Sequence, residues 1–227
     1  MDREQQKIFL DWDVINWSRA LTFWEQQVDF RNKGYRCLEL GAWKGGISLW
    51  LASLGNDVLC SDIDDPEPRA KPLHAKYPEG LRISYQSIDA TNIPYSGKFD
   101  IIVFKSVLGG ISRGKQNTLK QKTFSEIHKA LKPGGRLLFA ENLEASPIHQ
   151  FFRKQFIRWG DDWNYLELQE AEILCSPFAR FTCATYGFLG TFGRNEWQRQ
   201  FLGKADRVVE KLVSPGWRYI LAGVAVK

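Results

Sequence analysis

Apolar positions recur along this chain as short runs alternating with helical stripes. Val14, Trp17, Leu21, Trp24 and Val28 repeat at steps of three and four, which predicts a helix over residues 8–30 with Asp13 as its N-cap. Cys37, Leu38 and Leu40 form a short apolar run of the kind that makes a buried parallel strand, with the acidic Glu39 near its end. A glycine-bearing turn from Gly41 to Gly46 follows. Ile47, Trp50, Leu51 and Leu54 then return to helical spacing, and Gly55 sits where a helix C-cap belongs. Further apolar strands are predicted at residues 57–63, 81–90, 99–108 and 136–143. The fourth strand in chain order is almost wholly apolar, as a strand covered on both faces should be. A helix over 115–131 turns Leu119, Phe124, Ile127 and Leu131 inward, and Pro133-Gly134-Gly135 stops it. Strands alternating with helices predict an α/β fold.

Strand, glycine turn and helix N-terminus in that order make a cradle for a nucleotide-like ligand. A dinucleotide site needs glycine at the second fingerprint position, so that the backbone can approach a pyrophosphate. Here the ladder reads Gly41, Trp43, Gly45, and Glu39 places a carboxylate where the pyrophosphate would lie. Both features argue against NAD and ATP, and no Gly-Lys-Ser/Thr phosphate loop is present. A cationic ligand without phosphate suits the turn better, and S-adenosylmethionine carries both a sulfonium and an ammonium. Asp62 ends the second strand about 20 residues after Gly41, a distance that one βα unit consumes. A carboxylate there can accept hydrogen bonds from both ribose hydroxyls. Asp64 and Asp65 read as solvated turn residues leading into a proline-rich stretch (Pro66, Pro68, Pro72).

Lys105 and Ser106 interrupt the fourth strand at its carboxyl end, where open α/β sheets bind ligands. Lys105 can extend its stem to water, or hold or deprotonate an acceptor. Glu141 ends the fifth strand and is the second candidate for proton transfer. Ser146-Pro147 opens another helix whose Ile148, Phe152, Phe156 and Trp159 stripe one face beside Arg153, Lys154 and Arg158. That face can pack on the core, wall an acceptor pocket, or meet an anionic or lipid-linked substrate.

Composition narrows the class. With 44% hydrophobic residues over 227 positions, a folded domain with a substantial core is expected, and two domains would be a tight fit. The net charge of +5 comes without a basic run, so nucleic acid is not demanded as a partner. Cys37, Cys60, Cys175 and Cys183 include no Cys-x-x-Cys pair, which suggests a reduced, cytoplasmic protein. The charged N-terminus lacks a signal-peptide core, and no apolar segment is long enough to span a membrane. His74, His128 and His149 are too scattered for metal-ligand spacing, so no metal is expected.

Glu39-x-Gly41, the acid Asp62, Asp89-Ala90 after the third strand, Phe99-Asp100 opening the fourth and Leu131-Lys-Pro-Gly-Gly135 before the fifth form an ordered set over roughly residues 35–143. In this set the chain resembles a class I S-adenosylmethionine-dependent methyltransferase. The resemblance implies a Rossmann-like, mostly parallel seven-stranded sheet with S-adenosylmethionine as cofactor. Around its methionine moiety it places Glu39, Gly41, Ala42, Trp43 and Gly45. It also implies Asp62, with Ile63 beside it, at the ribose and Asp89 and Ala90 at the adenine; Lys105 joins the cofactor set from its place at the strand end. Trp43 stands where glycine or a small residue is usual. Residues 178–186 and 217–226 supply the sixth strand and an antiparallel seventh. Residues 190–216 between them are expected to form a helical insertion (Trp197, Phe201, Val208, Val209, Leu212).

The expected organisation is one methyltransferase domain over 1–227, with a capping N-terminal helix (1–34), a cofactor core (35–143) and an acceptor-side, sheet-completing region (144–227). The Asn-Pro-Pro-Tyr-like tetrapeptide of many base-amino methyltransferases is absent, with Phe104-Lys-Ser-Val107 in its place. A small-molecule or glycan acceptor methylated on oxygen or nitrogen is therefore favoured. Peripheral contact with a lipid-linked acceptor is compatible with the segment after residue 146. An RNA methyltransferase and a catalytically silent, cofactor-binding regulatory protein are the alternatives.

Overall fold

The computed structural model of the chain describes residues 2–31, 33–156 and 162–227, with Phe156 in its backbone only. The expected stripe positions Phe156, Arg158 and Trp159 thus lie outside the described side chains. Seven strands, β1 (Arg36–Leu40), β2 (Asp57–Asp62), β3 (Ile83–Ser87), β4 (Phe99–Lys105), β5 (Leu131–Asn142), β6 (Arg180–Tyr186) and β7 (Ile220–Val226), form one sheet in the order β3-β2-β1-β4-β5-β7-β6. β1 to β5 run parallel, and β7 pairs antiparallel with both β5 and β6. The helices among the described residues are α1 (Arg3–Leu10), α2 (Val14–Gln27), α3 (Gly46–Ser53), α4 (Glu67–His74), α5 (Leu108–Ile111), α6 (Asn117–Ala130), α7 (Pro147–Phe156), α8 (Leu168–Leu174) and α9 (Glu196–Val209). None is long and apolar enough to cross a membrane.

β4 shows why the sheet is covered on both faces. Its Ile101 and Val103 join one apolar cluster with Trp17, Trp24 and Trp50, while Ile102 and Phe104 join another with Phe124 and Phe139. The strand order reverses direction between β1 and β4, which leaves a crevice outside their carboxyl ends.

Five features differ from the sequence reading. The predicted helix 8–30 is two helices, because Asp11 (φ 70°) and Asp13 (φ 43°) take left-handed conformations that a helix cannot continue through. Asp13 does not cap α2 with its side chain; it accepts a hydrogen bond from Tyr219 Oη at 2.5 Å instead. The third strand starts at Ile83, since Pro78–Arg82 coils into a 3-10 turn. The proline-rich stretch is the helix α4: Pro68 falls in its first turn, where no N–H is missed, and Pro72 comes only two residues before its end. Residues 133–135 do not terminate α6 but form an irregularity inside β5, whose register with β4 jumps between the Phe99 and Ile101 pairings.

The N-terminal helices and the C-terminal insertion are tied together beneath the surface. Asn16 Nδ2 donates to Tyr219 Oη at 2.7 Å and to Asp206 Oδ2 at 2.9 Å. Asp206 also accepts from the backbone N–H groups of Leu189 and Gly190. Asp13, Asn16 and Asp206 are fully buried and Tyr219 nearly so, so each hydrogen bond is made without competition from water. Tyr219→Phe removes the donor to Asp13 and the acceptor of Asn16. The variant is expected to lose about 1–3 kcal/mol in urea unfolding monitored by circular dichroism.

Candidate active site

The turn after β1 is held in shape from three sides. Gly41 (φ 63°), Trp43 (φ 52°) and Gly45 (φ 69°) all lie in the left-handed region. A Cβ on Gly41 would come within 2.5 Å of Val107 Cγ2, so glycine is required there on two grounds. His74 Nε2 lies 2.8 Å from the Gly45 carbonyl, and its Nδ1 lies 2.8 Å from Tyr85 Oη. Because a carbonyl only accepts, Nε2 carries the proton and Nδ1 accepts from Tyr85. Burial lowers the His74 pKa, which keeps the ring neutral in this holding role. On the third side, a Cβ at Gly46 would collide with the Phe9 carbonyl, so α1 presses directly on the start of α3.

Trp43 adopts a conformation normally left to glycine, but its indole points outward and is 55% exposed. The Arg69 guanidinium lies 5.0 Å from that ring. The Trp43 N–H is received by Asp62 Oδ2 at 3.0 Å. The curvature that the fingerprint needs is therefore kept, with the bulk on the outside of the loop.

Glu39 is buried and its Oε2 accepts from both Ser48 N (2.7 Å) and Ser48 Oγ (2.5 Å). It thereby satisfies an N–H of the first turn of α3. Burial pushes its pKa up to about 7, against those two hydrogen bonds and the nearby Lys105. Lys105, at the end of β4, has its Nζ 4.7 Å from the Trp17 ring centroid and 5.8 Å from that of Trp12. Burial lowers its pKa to about 8, opposed by Asp11, Glu39, Glu141 and Asp13.

These groups surround one cavity of about 460 Å³, within the roughly 300–1,000 Å³ usual for small ligands. Glu39, Gly41, Ala42, Trp43, Lys105 and Ser106 line its floor, and residues 7–12 of α1 and the following turn form the roof. The structure thus brings together five of the residues expected from sequence. Gly45 faces His74 instead of the cavity. Asp62 borders the turn through its bond to Trp43, and Ile63 beside it is 63% exposed at the strand-end edge. Ala90 is buried, while Asp89 is exposed and accepts from Thr91 N and Oγ1, both at 2.8 Å. Glu141 was expected as a second proton-transfer group. Its Oε1 is instead occupied by the N–H groups of Val107 (2.5 Å) and Leu108 (2.8 Å), so it anchors the loop after β4 from beneath. Burial raises its pKa to about 7.

Sequence reasoning missed Ser48, His74 and Arg69. Arg69 Nη2 lies 3.4 Å from Asp62 Oδ2, yet Nε and Nη2 make no hydrogen bond although buried, so the pair is an ionic contact without directed donation. An accepting carboxylate beside unused N–H donors suits a vicinal diol, whose hydroxyls both donate and accept. The residues present therefore fit the adenosine ribose of S-adenosylmethionine.

Comparison with known proteins bears out the domain and its fold. Residues 38–139 match the methyltransferase-domain family model. No curated protein matches the sequence at a significant level. Among solved structures, phosphoethanolamine N-methyltransferase 2 of Haemonchus contortus, in complex with phosphomonomethylethanolamine and S-adenosylhomocysteine, is similar at 17% identity and a TM-score of 0.62. It is matched over 93% of this chain and 52% of that one. The chain therefore spans about half the length of that enzyme. An S-adenosylmethionine-dependent methyltransferase from Methanosarcina mazei is 16% identical with a TM-score of 0.63, over 90% of this chain and 96% of that one. One from Thermotoga maritima is 14% identical with a TM-score of 0.63, over 99% and 95%. The domain match makes residues 38–139 a methyltransferase domain, with S-adenosylmethionine as its cofactor, and the fold of the chain is that of the class I S-adenosylmethionine-dependent methyltransferases.

Asp13, Glu39 and Glu141 share an unusual pH signature, each with a folded pKa near 7 against about 4 for an exposed carboxyl. Between those values the folded state keeps protons that the unfolded state has released, so stability from these groups falls as pH rises from about 4 to about 7. Glu39→Gln, which keeps the shape and removes the titration, is expected to flatten that fall. Melting temperatures of both proteins across the window measure it.

Proposed function

We propose that this chain transfers the methyl group of S-adenosylmethionine to an oxygen or nitrogen of a small-molecule or glycan acceptor. The proposed unit is one domain over 1–227, with 1–34 as cap, 35–143 as cofactor core and 144–227 on the acceptor side. The observation that carries the reading is the cavity in which the Gly41–Trp43 turn, Glu39 and Lys105 meet under α1. Glu39, Gly41, Ala42, Trp43 and Gly45 are assigned to the methionine end, Asp62 and Ile63 to the ribose, and Asp89 and Ala90 to the adenine. Bound there, the cofactor supplies an electrophilic methyl carbon on a sulfonium.

The chain's own contribution is positioning, exclusion of water and custody of one proton. Lys105 is assigned the proton, because its pKa of about 8 already lies close to the working range of a base. A cationic group arriving beside it favours the neutral amine, which can take the proton that a hydroxyl or ammonium acceptor sheds. Glu141 is assigned to hold the loop that presents Lys105. The acceptor is assigned to a second cavity of about 760 Å³, where Ile148, His149 and Phe152 meet Arg153, Arg194 and Arg199. Arg199 also lies 5.5 Å from the Trp12 ring that neighbours Lys105, so the two cavities adjoin through one indole. Apolar walls with arginines suit an acceptor that carries a carboxylate or phosphate, and a neighbour's bound phosphomonomethylethanolamine is of that kind. Four unpaired thiols suit a reducing, cytoplasmic setting.

Calorimetry tests the cofactor assignment. S-adenosylmethionine and S-adenosylhomocysteine are expected to bind and NAD not to bind. Asp62→Ala should weaken the first two by at least about tenfold through lost hydrogen bonds to a charged group, and an unchanged affinity would defeat the ribose assignment. Lys105 is tested separately by titrating near pH 8 in buffers of different ionisation enthalpy. The cationic cofactor is expected to release more protons on binding than its neutral thioether product, and Lys105→Met should erase that difference.

A further inference from the structure

We infer that the outer face of α9 docks on an anionic lipid bilayer. Trp197, Phe201, Val208 and Leu212 follow one another at steps of four, seven and four, which places them on one stripe of the helix and the turn that extends it. They are 74, 68, 66 and 84% exposed. Lys204 and Lys211 fall on the same side at steps of seven from Trp197, and Arg207 lies beside them; all three are exposed.

The acidic residues of this segment are turned away from that stripe. Asp206 is buried and accepts from Asn16, Leu189 and Gly190, and Glu210 takes both Arg19 guanidinium nitrogens at 2.7 and 2.6 Å. Glu196 is half-buried and engaged with the Asp13 N–H and Arg199. A Cβ at Gly203 would come within 2.8 Å of Ile15 Cγ2, so the inner face is in close contact with α2 and the stripe cannot roll inward. What remains outside is an apolar ridge flanked by Lys204, Lys211 and Arg207, the pattern of a helix lying in the headgroup region.

Charge decides the occupant. A second copy meeting this face with its own would oppose like-charged lysines with no carboxylate between them. Nucleic acid would find rings in Trp197 and Phe201 but nothing to stack on in Val208 and Leu212. Anionic headgroups satisfy the cations while the acyl boundary takes all four apolar side chains. Apart from this stripe, α7 exposes Ile148 (54%), Phe151 and Lys154, and its Ile148 and Phe152 rim the 760 Å³ cavity together with Arg194 and Arg199. The docking does not rest on the acceptor assignment above.

Flotation of the full chain with vesicles tests the inference. The protein is expected to float with phosphatidylcholine–phosphatidylglycerol vesicles at low salt, to be released as salt rises, and to ignore phosphatidylcholine alone. Trp197→Ser with Phe201→Ser should reduce partitioning at least about tenfold, and Lys204→Glu with Lys211→Glu by a similar factor. Both pairs are exposed, and circular dichroism with S-adenosylhomocysteine calorimetry checks that fold and cofactor site persist. Absence of flotation with the anionic vesicles overturns the docking, as does flotation that both double variants leave unchanged. A dimer that Trp197→Ser/Phe201→Ser converts to monomer, with vesicles ignored, also overturns it and gives the face to a second copy. Cofactor binding reports on the methyltransferase reading independently of each of these results.

Discussion

The carboxylate of Glu39 reaches from the end of β1 into the first turn of α3 and receives both the N–H and the hydroxyl of Ser48. That contact joins the strand to the helix across the turn, so the residues between them have little freedom to spread. Gly41, Trp43 and Gly45 must then accept left-handed conformations to close the distance. The cavity floor follows from this closure. Because Glu39 is buried, losing Ser48 would leave a carboxyl without donors in an apolar setting, a situation proteins seldom tolerate. One hydrogen-bonded acid thus sets the shape of the turn.

The roof depends on a different kind of constraint. α1 and α2 belong to the N-terminus, yet what fixes them is carried by residues about 200 positions later. Asp13 and Asn16 meet Tyr219, and Asn16 meets Asp206, all away from water. The left-handed Asp11 and Asp13 break the helix so that α1 can fold across Gly46 while α2 stays in the core. Trp12 sits at that break, between Lys105 and Arg199. The bend that interrupts the helix is also what brings an aromatic ring to the junction of the two cavities.

Particular residues show what was legible in the sequence. The sheet, its strand ends and the Glu39–Gly41 and Asp62 positions could be read because they rest on local periodicity and on glycine punctuation. Asp13 stands at the N-cap position of α2, but its side chain is taken by Tyr219, 206 positions away, a partner that no local rule weighs. Arg69 was hidden in the proline-rich stretch after Asp64 and Asp65, which is helical because its prolines fall in the first turn and near the end of α4. Ser48 and His74 carry no motif; their roles come from the turn they support. The stripe on α9 was legible as a stripe but not as an outward one. Which face of an amphipathic helix is buried depends on its neighbours, and here Asp206 and Glu210 found partners inside the protein, leaving the apolar side in solvent.

The charge balance of the cavity is the last link between structure and chemistry. Burial raises Glu39 and Glu141 to about 7 and lowers Lys105 to about 8, so burial disfavours the charged form of all three groups. An incoming pyrophosphate would push the acids toward protonation and keep the lysine charged, leaving two anions of the ligand against a single ammonium. An incoming sulfonium does the reverse: it favours ionised Glu39 and a neutral Lys105, so the field that binds the ligand grows as the amine becomes able to accept a proton. Trp12 and Trp17 reinforce this coupling, because a ring face stabilises a cation yet imposes desolvation on it. The same burial that makes Lys105 a poor permanent cation makes it responsive to a positively charged neighbour, and the proposed role of Lys105 as proton acceptor rests on that property.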